Sequence, residues 1–309
     1  MITVSAPGKL MIFGEHAVVY GHPCIVTAVS QRLTVIVETI QGPTEIVAPQ
    51  TGDTRFVEAA VRVAAEKFSI PDSGYKITTE SKFSGVFGFG SSSAVTVATI
   101  FALTQLARKT VDKKTLFDAS YQTVLDVQGE GSGFDVAAST FGGTLYYKKG
   151  GTTIEEIPMA GDQISLVVGY SGVKANTCDI VRDVAKKYTQ YPDRVGRIFS
   201  AIAKIVDDGR KAMEEKEWIT VGKFMNFNQE YLRDLGVSTE KLETLISAAK
   251  NAGAYGAKLS GAGGGDSIIA LVTNERKQAV ENAISLAGGQ VVSISPHEEG
   301  VRQEKGGTS

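Results

Sequence analysis

The side chains best suited to chemistry in this sequence are Lys9, the Glu15-His16 pair, the serine run Ser91-Ser92-Ser93, and Asp135. Lys9 follows Pro7-Gly8 and Glu15-His16 follows Gly14, so one short glycine-broken segment carries a compact cation, a carboxylate and an imidazole. Taken singly, these are also what a solvated surface and a satisfied polar histidine look like. The serines sit in "GVFGFGSSSAVTVATI", from Gly85 to Ile100. A strand, a glycine turn and a helix in that order gather backbone N–H groups and the positive helix end at one spot. Gly88 and Gly90 can adopt conformations closed to other residues, and the three hydroxyls suit phosphate oxygens or a metal.

Three familiar signatures do not fit this stretch. It lacks the Gly-Lys-Ser/Thr ending of a Walker loop, it has Ser93 where a dinucleotide fold needs its third glycine, and it has no G-x-S-x-G elbow. By itself it is either a phosphate cradle or a helix-start turn with packing glycines. Asp135, between Phe134 and Val136, is either a turn or cap residue or a paired, functional carboxylate, because burying it alone is costly. The run Gly261-Ala262-Gly263-Gly264-Gly265-Asp266 holds four glycines in five residues, more than a hairpin needs. A backbone turned tightly against a ligand is the expected explanation, with Asp266 orienting the loop or capping its turn. His22 and His297 have no visible partners and receive no role.

The elements that must position these groups follow from periodicity. Ile2 to Ser5 predicts a short strand ending at Pro7-Gly8, and "RLTVIVETI" a strand from about Arg32 to Ile40. A helix capped by Asp53 or Thr54 stops before Pro71; "YKITTESK" is a strand, and Ala94 to Leu106 and Lys114 to Gln128 are helices. "GGTLYYKKGG" and "TTIEEIPM" predict a hairpin around Lys149-Gly150-Gly151. After a change of half near Gly161 come a strand, helices over Thr177–Lys187, Asp193–Lys216 and Ile219–Leu235, and a capping box at Ser238 or Thr239. "GAKLSGAGGGDSIIALVT" is strand, glycine turn, strand, and the polar tail after His297 is expected to fray. Interleaved strands and helices with hairpins give an α+β class.

With 309 residues, 42% of them hydrophobic and 21% charged, the composition is that of an ordinary globular protein long enough for two domains. A formal charge of -2 gives no global reason for nucleic acid or an anionic membrane as partner. No apolar run reaches a bilayer span and the N-terminus lacks signal-peptide features, so a cytoplasmic location is expected. Cys24 and Cys178 are expected to be buried free thiols.

Three segments in this order, "PGKLMIFGEHAVVYG", "GFGSSSA" and "KLSGAGGGDS", resemble the motifs of the GHMP small-molecule kinases, and the likeness spans nearly the whole chain. The resemblance implies a ribosomal-protein-S5-like domain over 1–160 and a ferredoxin-like domain over 161–309, with ATP and a small-molecule acceptor between them. It implies that Gly85, Gly88, Phe89, Gly90, Ser91, Ser92 and Ser93, with Gly261, Ala262, Gly263 and Gly264, hold the nucleotide, Ser92 touching Mg2+. Lys9 and Asp135 match the family's catalytic pair; Glu15 and His16 would shape the acceptor site, and Lys174 would supply a cation to the acceptor's carboxylate.

Within the family, "GEHAVVYGHP", "SGVKANTCDIV" and "STFGGTLYYKKG" are similar to the mevalonate-kinase branch, whereas "VQGEGSGFDVAA" and the aspartate ending "GAGGGD" are similar to the phosphomevalonate-kinase branch. Mevalonate is therefore the expected acceptor and phosphomevalonate the alternative. A non-catalytic nucleotide and metabolite sensor of the same fold would be expected to lose Lys9 and Asp135. Two departures stand out: Val124 occupies the position, eleven residues before Asp135, where mevalonate kinases usually carry a metal-binding glutamate, and Ser84 replaces a proline. A homodimer is compatible with all of this.

Overall fold

The computed structural model describes residues 1–50, 52–81, 87–159 and 164–304. Gly85, Ser84 and the expected change of half at Gly161 lie outside them. The first half comprises β1 (Ile2–Phe13), β2 (Pro23–Thr39), β3 (Glu45–Val47), α1 (Arg55–Phe68), β4 (Tyr75–Ser81), α2 (Ser91–Leu106), α3 (Lys113–Gln128), α4 (Phe134–Phe141), β5 (Thr144–Lys148) and β6 (Thr153–Glu156). The second comprises β7 (Ile164–Tyr170), α5 (Thr177–Gln190), α6 (Pro192–Glu214), α7 (Trp218–Asp234), α8 (Glu240–Asn251), β8 (Gly256–Ser260), β9 (Ser267–Thr273), α9 (Lys277–Leu286) and β10 (Gln290–Val292), and β11 (Arg302–Gln303) closes the chain.

Two sheets organise these elements. The first has the order β11-β1-β2-β4-β3, with β5 pairing β2 and β6 pairing β5. The second has the order β10-β7-β9-β8 with antiparallel pairs throughout, the 4-1-3-2 arrangement of a ferredoxin-like layer. The α+β class and the two-domain expectation agree with this architecture.

β1 does not stop at Pro7-Gly8. It continues to Phe13, and a register shift between Pro7 and Gly8 absorbs the missing N–H of the proline. Gly8 is needed there because a Cβ would stand 3.1 Å from Phe89 of the serine-rich segment. α2 is apolar on nearly all sides because it packs on β1 and β2 beneath and on α1 and α3 beside it. α6 crosses to the first sheet, and the bare Gly209 lets it approach Phe13, where a Cβ would stand 2.9 Å from the ring.

The tail after His297 does not fray over its described residues. Buried Arg32 needs acceptors, and its guanidinium donates to the carbonyls of Glu299 at 2.7 Å and Gly300 at 2.7 Å, while β11 pairs with β1. Cys24 is a buried free thiol as expected; Cys178 is free but exposed, at the start of amphipathic α5. Among the described residues no helix is long and apolar enough to cross a membrane.

Candidate functional site

β1 carries Lys9 into the interior and its end presents Glu15 and His16. The lysine is only 7% exposed, and its Nζ donates to the Gly88 carbonyl at 2.8 Å, while its backbone N–H donates to Phe89 O at 3.0 Å. The serine-rich segment is therefore stitched to the first motif by both ends of one residue. Burial lowers the Lys9 pKa, opposed by the carboxylates of Asp135, Asp266 and Glu15 around it. The Phe134 ring lies 5.4 Å from Nζ and adds a cation–π contact.

Asp135 stands in the first turn of α4, behind Gly133, whose φ of 86° and close packing on Tyr147 and Tyr121 leave no room for a side chain. One of its oxygens accepts from Val136 N at 3.0 Å. Gly90 brings the two functional groups together. It begins α2 with φ 79° and ψ 41°, and a Cβ there would lie 3.3 Å from Lys9 Cε and 3.5 Å from Asp135 Cβ. A cation and a carboxylate thus flank the N-terminus of a 16-residue helix that no side chain caps. Ser91 and Ser92 are half-buried in its first turn, and Ser93 is fully buried with a hydroxyl that has no hydrogen-bond partner among the described residues. Phe89 is 1% exposed and belongs to the core, contributing its backbone to the turn.

The glycine-rich loop between β8 and β9 closes the site from the second half. Its glycines answer mainly to the protein rather than to open space for a ligand. A Cβ at Gly263 would stand 2.2 Å from Val237 O, at Gly264 2.4 Å from Ile180, and at Gly265 2.5 Å from Val173 O. Only Gly261, with φ 106°, turns beside open space. Packing on the protein itself accounts for three of the four glycines, Gly263 and Gly265 against backbone carbonyls and Gly264 against the Ile180 side chain. Asp266, at φ 55°, braces the tip, accepting from Ala175 N at 2.9 Å. Its other oxygen lies 2.7 Å from where a Gly88 Cβ would stand. Burial raises the Asp266 carboxyl, opposed by the Ala175 hydrogen bond and the charges of Lys9 and Lys174. Ser267 Oγ donates to Phe87 O at 3.1 Å, a second tie between the two loops.

Glu15 and His16 meet the second half directly. His16 Nε2 lies 2.8 Å from Ala262 O, so this nitrogen carries the proton and donates. Burial lowers its pKa to about 4, which leaves a neutral ring with Nδ1 as an acceptor. Glu15 is fully buried and paired with Lys258 of β8, so its carboxylate faces the protein interior. Lys174 is exposed and close enough to Asp266 for its charge to act on that carboxyl. A separate cavity of about 380 Å³ opens beside the glycine-rich loop, lined by Ile180, Lys187, Val237 and Gly264 among others; Lys9 and Asp135 do not line it.

Sequence reasoning missed Lys258 and the bonds from Met11 to Ser260 and from Gly14 to Asn228, because each joins distant parts of the chain. The only signal was a lysine inside an otherwise apolar or small-residue strand, "GAKLS".

Comparison with known proteins adds an independent line. The model of the GHMP kinases N terminal domain matches residues 55–143, and that of the GHMP kinases C terminal region matches 210–290. The mevalonate kinase of Pyrococcus abyssi is 35% identical, the alignment covering 99% of this chain and 98% of the relative. Among solved structures, the Methanococcus jannaschii mevalonate kinase superposes with a TM-score of 0.81 at 26% identity, covering 98% of both chains. The Lin0012 protein of Listeria innocua gives a TM-score of 0.89 at 23% identity over 99% of each chain, a likeness of fold.

Proposed function

The chain belongs to the GHMP kinases, ATP-dependent small-molecule kinases, and acts on a mevalonate-pathway intermediate; on that premise we propose that it transfers the γ-phosphoryl group of ATP to the primary hydroxyl of mevalonate. The observation that carries the proposal is the convergence of Lys9 and Asp135 on the bare Gly90 at the start of α2. Curated relatives of nearly full coverage that bear the name mevalonate kinase support the choice of acceptor.

In this scheme the uncapped N–H groups of the first turn of α2 bind the triphosphate. Asp135 accepts the proton of the acceptor hydroxyl as its oxygen bonds to the γ-phosphorus and the bond to the ADP oxygen breaks. Lys9 offsets the negative charge on the transferred group from a desolvated position, where such a charge acts strongly. His16, neutral and bonded to Ala262, offers Nδ1 to a hydroxyl of the acceptor.

Mg2+ fits as an ion held mainly by the nucleotide. Among the described residues no cluster of three His, Cys, Asp or Glu can hold a metal, Val124 is buried in the core, and Asp126 is exposed and bonded to Gln122. The Ser92 hydroxyl would be its protein contact beside phosphate oxygens, and the ion would supply further charge neutralisation.

A coupled ADP-release assay with mevalonate and phosphomevalonate in parallel tests the proposal. Turnover dependent on mevalonate is expected. Turnover with phosphomevalonate alone would replace the acceptor, and nucleotide binding without turnover on either would favour a sensor.

A further inference from the structure

The most heavily buried charges among the described residues lie outside the Lys9–Asp135 centre. Glu15 and Lys258 are each fully buried, one on the loop after β1 of the first sheet and the other on β8 of the second. Lys258 Nζ also donates to the carbonyl of Leu259 at 2.6 Å, whereas Glu15 Oε2 has no hydrogen-bond partner among the described residues. Burial raises the Glu15 pKa and lowers that of Lys258, each effect opposed by the partner's charge. A buried ion pair is a poor way to gain stability, since an apolar pair of similar volume does as well or better. Its place in the fold therefore calls for another explanation.

That place is a seam. On one side of the pair, Met11 N donates to Ser260 Oγ at 2.9 Å, and Ser260 Oγ donates back to Met11 O at 3.1 Å. On the other side, His16 Nε2 donates to Ala262 O at 2.8 Å. Gly14 N reaches Asn228 of α7 at 3.3 Å. Met11, Glu15 and His16 of the first motif are thus joined to Ser260, Lys258 and Ala262, three positions at the end of β8 and the start of the glycine-rich loop. His16 holds φ 61° and ψ -48°, a conformation costly for a residue with a side chain and kept only where its surroundings impose it.

We propose that Glu15–Lys258 is a positioning pair that fixes the register between the two halves, and so holds His16 in its strained, Ala262-bonded orientation toward the acceptor. Neither residue touches a substrate. The proposal rests on the acceptor lying beside His16, and its main readout does not depend on which acceptor that is.

The test uses the full-length chain and three backgrounds. Glu15→Met with Lys258→Met removes both charges at once, avoiding the unpaired buried charge that either single change leaves. Glu15→Asp retains the charge but shortens its reach, which covers the case in which the double variant fails to fold. Because the chain has only three histidines, imidazole 15N NMR reads His16 directly. In the wild type, His16 is expected to stay in its Nε2–H form and titrate near 4. In the double variant, with its melting temperature within a few degrees of the wild type, that titration should move toward 6.5, the value of an unperturbed histidine. The acceptor KM should rise about tenfold or more, while the KM for ATP changes less than about twofold, because a 1 Å misplacement costs reaction geometry. Glu15→Asp should shift both readouts in the same direction by less. A wild-type His16 titration and acceptor KM in the folded double variant, or in Glu15→Asp if the double does not fold, would overturn the proposal. Failure of the wild type to turn over either acceptor would sink the assignment of function, and the NMR readout would still decide the positioning role.

Discussion

The molecule contains two glycine-rich loops of similar composition and different physics. The loop before α2 ends in a helix, and its Gly90 leaves out a side chain that would crowd Lys9 and Asp135. The loop before β9 joins two strands, and Gly263, Gly264 and Gly265 leave out side chains that would strike Val237, Ile180 and Val173. In the first loop, glycine clears the approach to reactive groups beside uncapped helix N–H donors. In the second, glycine lets the loop pack against the Val237 and Val173 carbonyls and the Ile180 side chain, so that Ala262 O and Asp266 are presented at fixed points. The two meet where Asp266 lies against Gly88. Glycine content alone therefore does not identify an anion site; what distinguishes one is the helix end and the charged groups that face it.

The contrast can be broken most forcefully at its reactive end. Asp135→Ala is expected to lower kcat by about a thousandfold or more while leaving ATP affinity, measured by calorimetry, within about threefold. Retained turnover would contradict the role of the first loop as a reaction centre.

The next effect separates the loops from each other. Gly263→Ala combines φ 84° with a 2.2 Å clash against Val237 O and is expected to cost about 3 kcal/mol in urea unfolding, with kcat little changed where the protein is folded. Gly90→Ala should show the reverse, losing only about 1 kcal/mol for its left-handed backbone while kcat/KM for ATP falls about tenfold or more. Equal stability losses and equal kinetic losses in the two variants would erase the distinction.

A pH measurement sharpens the comparison at the seam. His16 titrates near 4 when folded and at 6.5 when unfolded. The unfolded chain therefore binds more protons between these values. Stability from this group is complete above 6.5 and lost as pH falls toward 4, by as much as about 3 kcal/mol. Denaturant midpoints at pH 7 and 4.5 should diverge more in the wild type than in His16→Gln; identical divergence would deny His16 this role. The smallest effect is expected from Ser92→Ala, a rise of about threefold to tenfold in the Mg2+ concentration required for half-maximal rate. An unchanged requirement would remove the metal contact.

Much of the frame was legible because it depends on local pattern. The α2, α3 and α8 helices, the β5–β6 hairpin and the turn glycines Gly88 and Gly90 follow from apolar periodicity, caps and punctuation. β1 runs beyond its sequence signal because Pro7-Gly8 is a local stop that a register shift in the sheet overrides. The ordered tail was missed because its cause, buried Arg32, lies 267 and 268 residues away from its acceptors. The Glu15–Lys258 pair is hard to read for a similar reason: the partners lie 243 residues apart, and the lysine within "GAKLS" is its one local trace. The pairing of Lys9 with Asp135 is suggested in the sequence only by the order of motifs, and their convergence at Gly90 belongs to the fold.

The central claim is that Lys9, Asp135 and the start of α2 form a centre that phosphorylates mevalonate. The most direct measurement follows a reaction of the purified protein with ATP, Mg2+ and mevalonate by 31P NMR. The account predicts a new phosphomonoester resonance growing in step with the loss of the γ-phosphate signal and the appearance of ADP. No phosphomonoester from mevalonate, with a new diphosphate signal when phosphomevalonate is supplied instead, would contradict it.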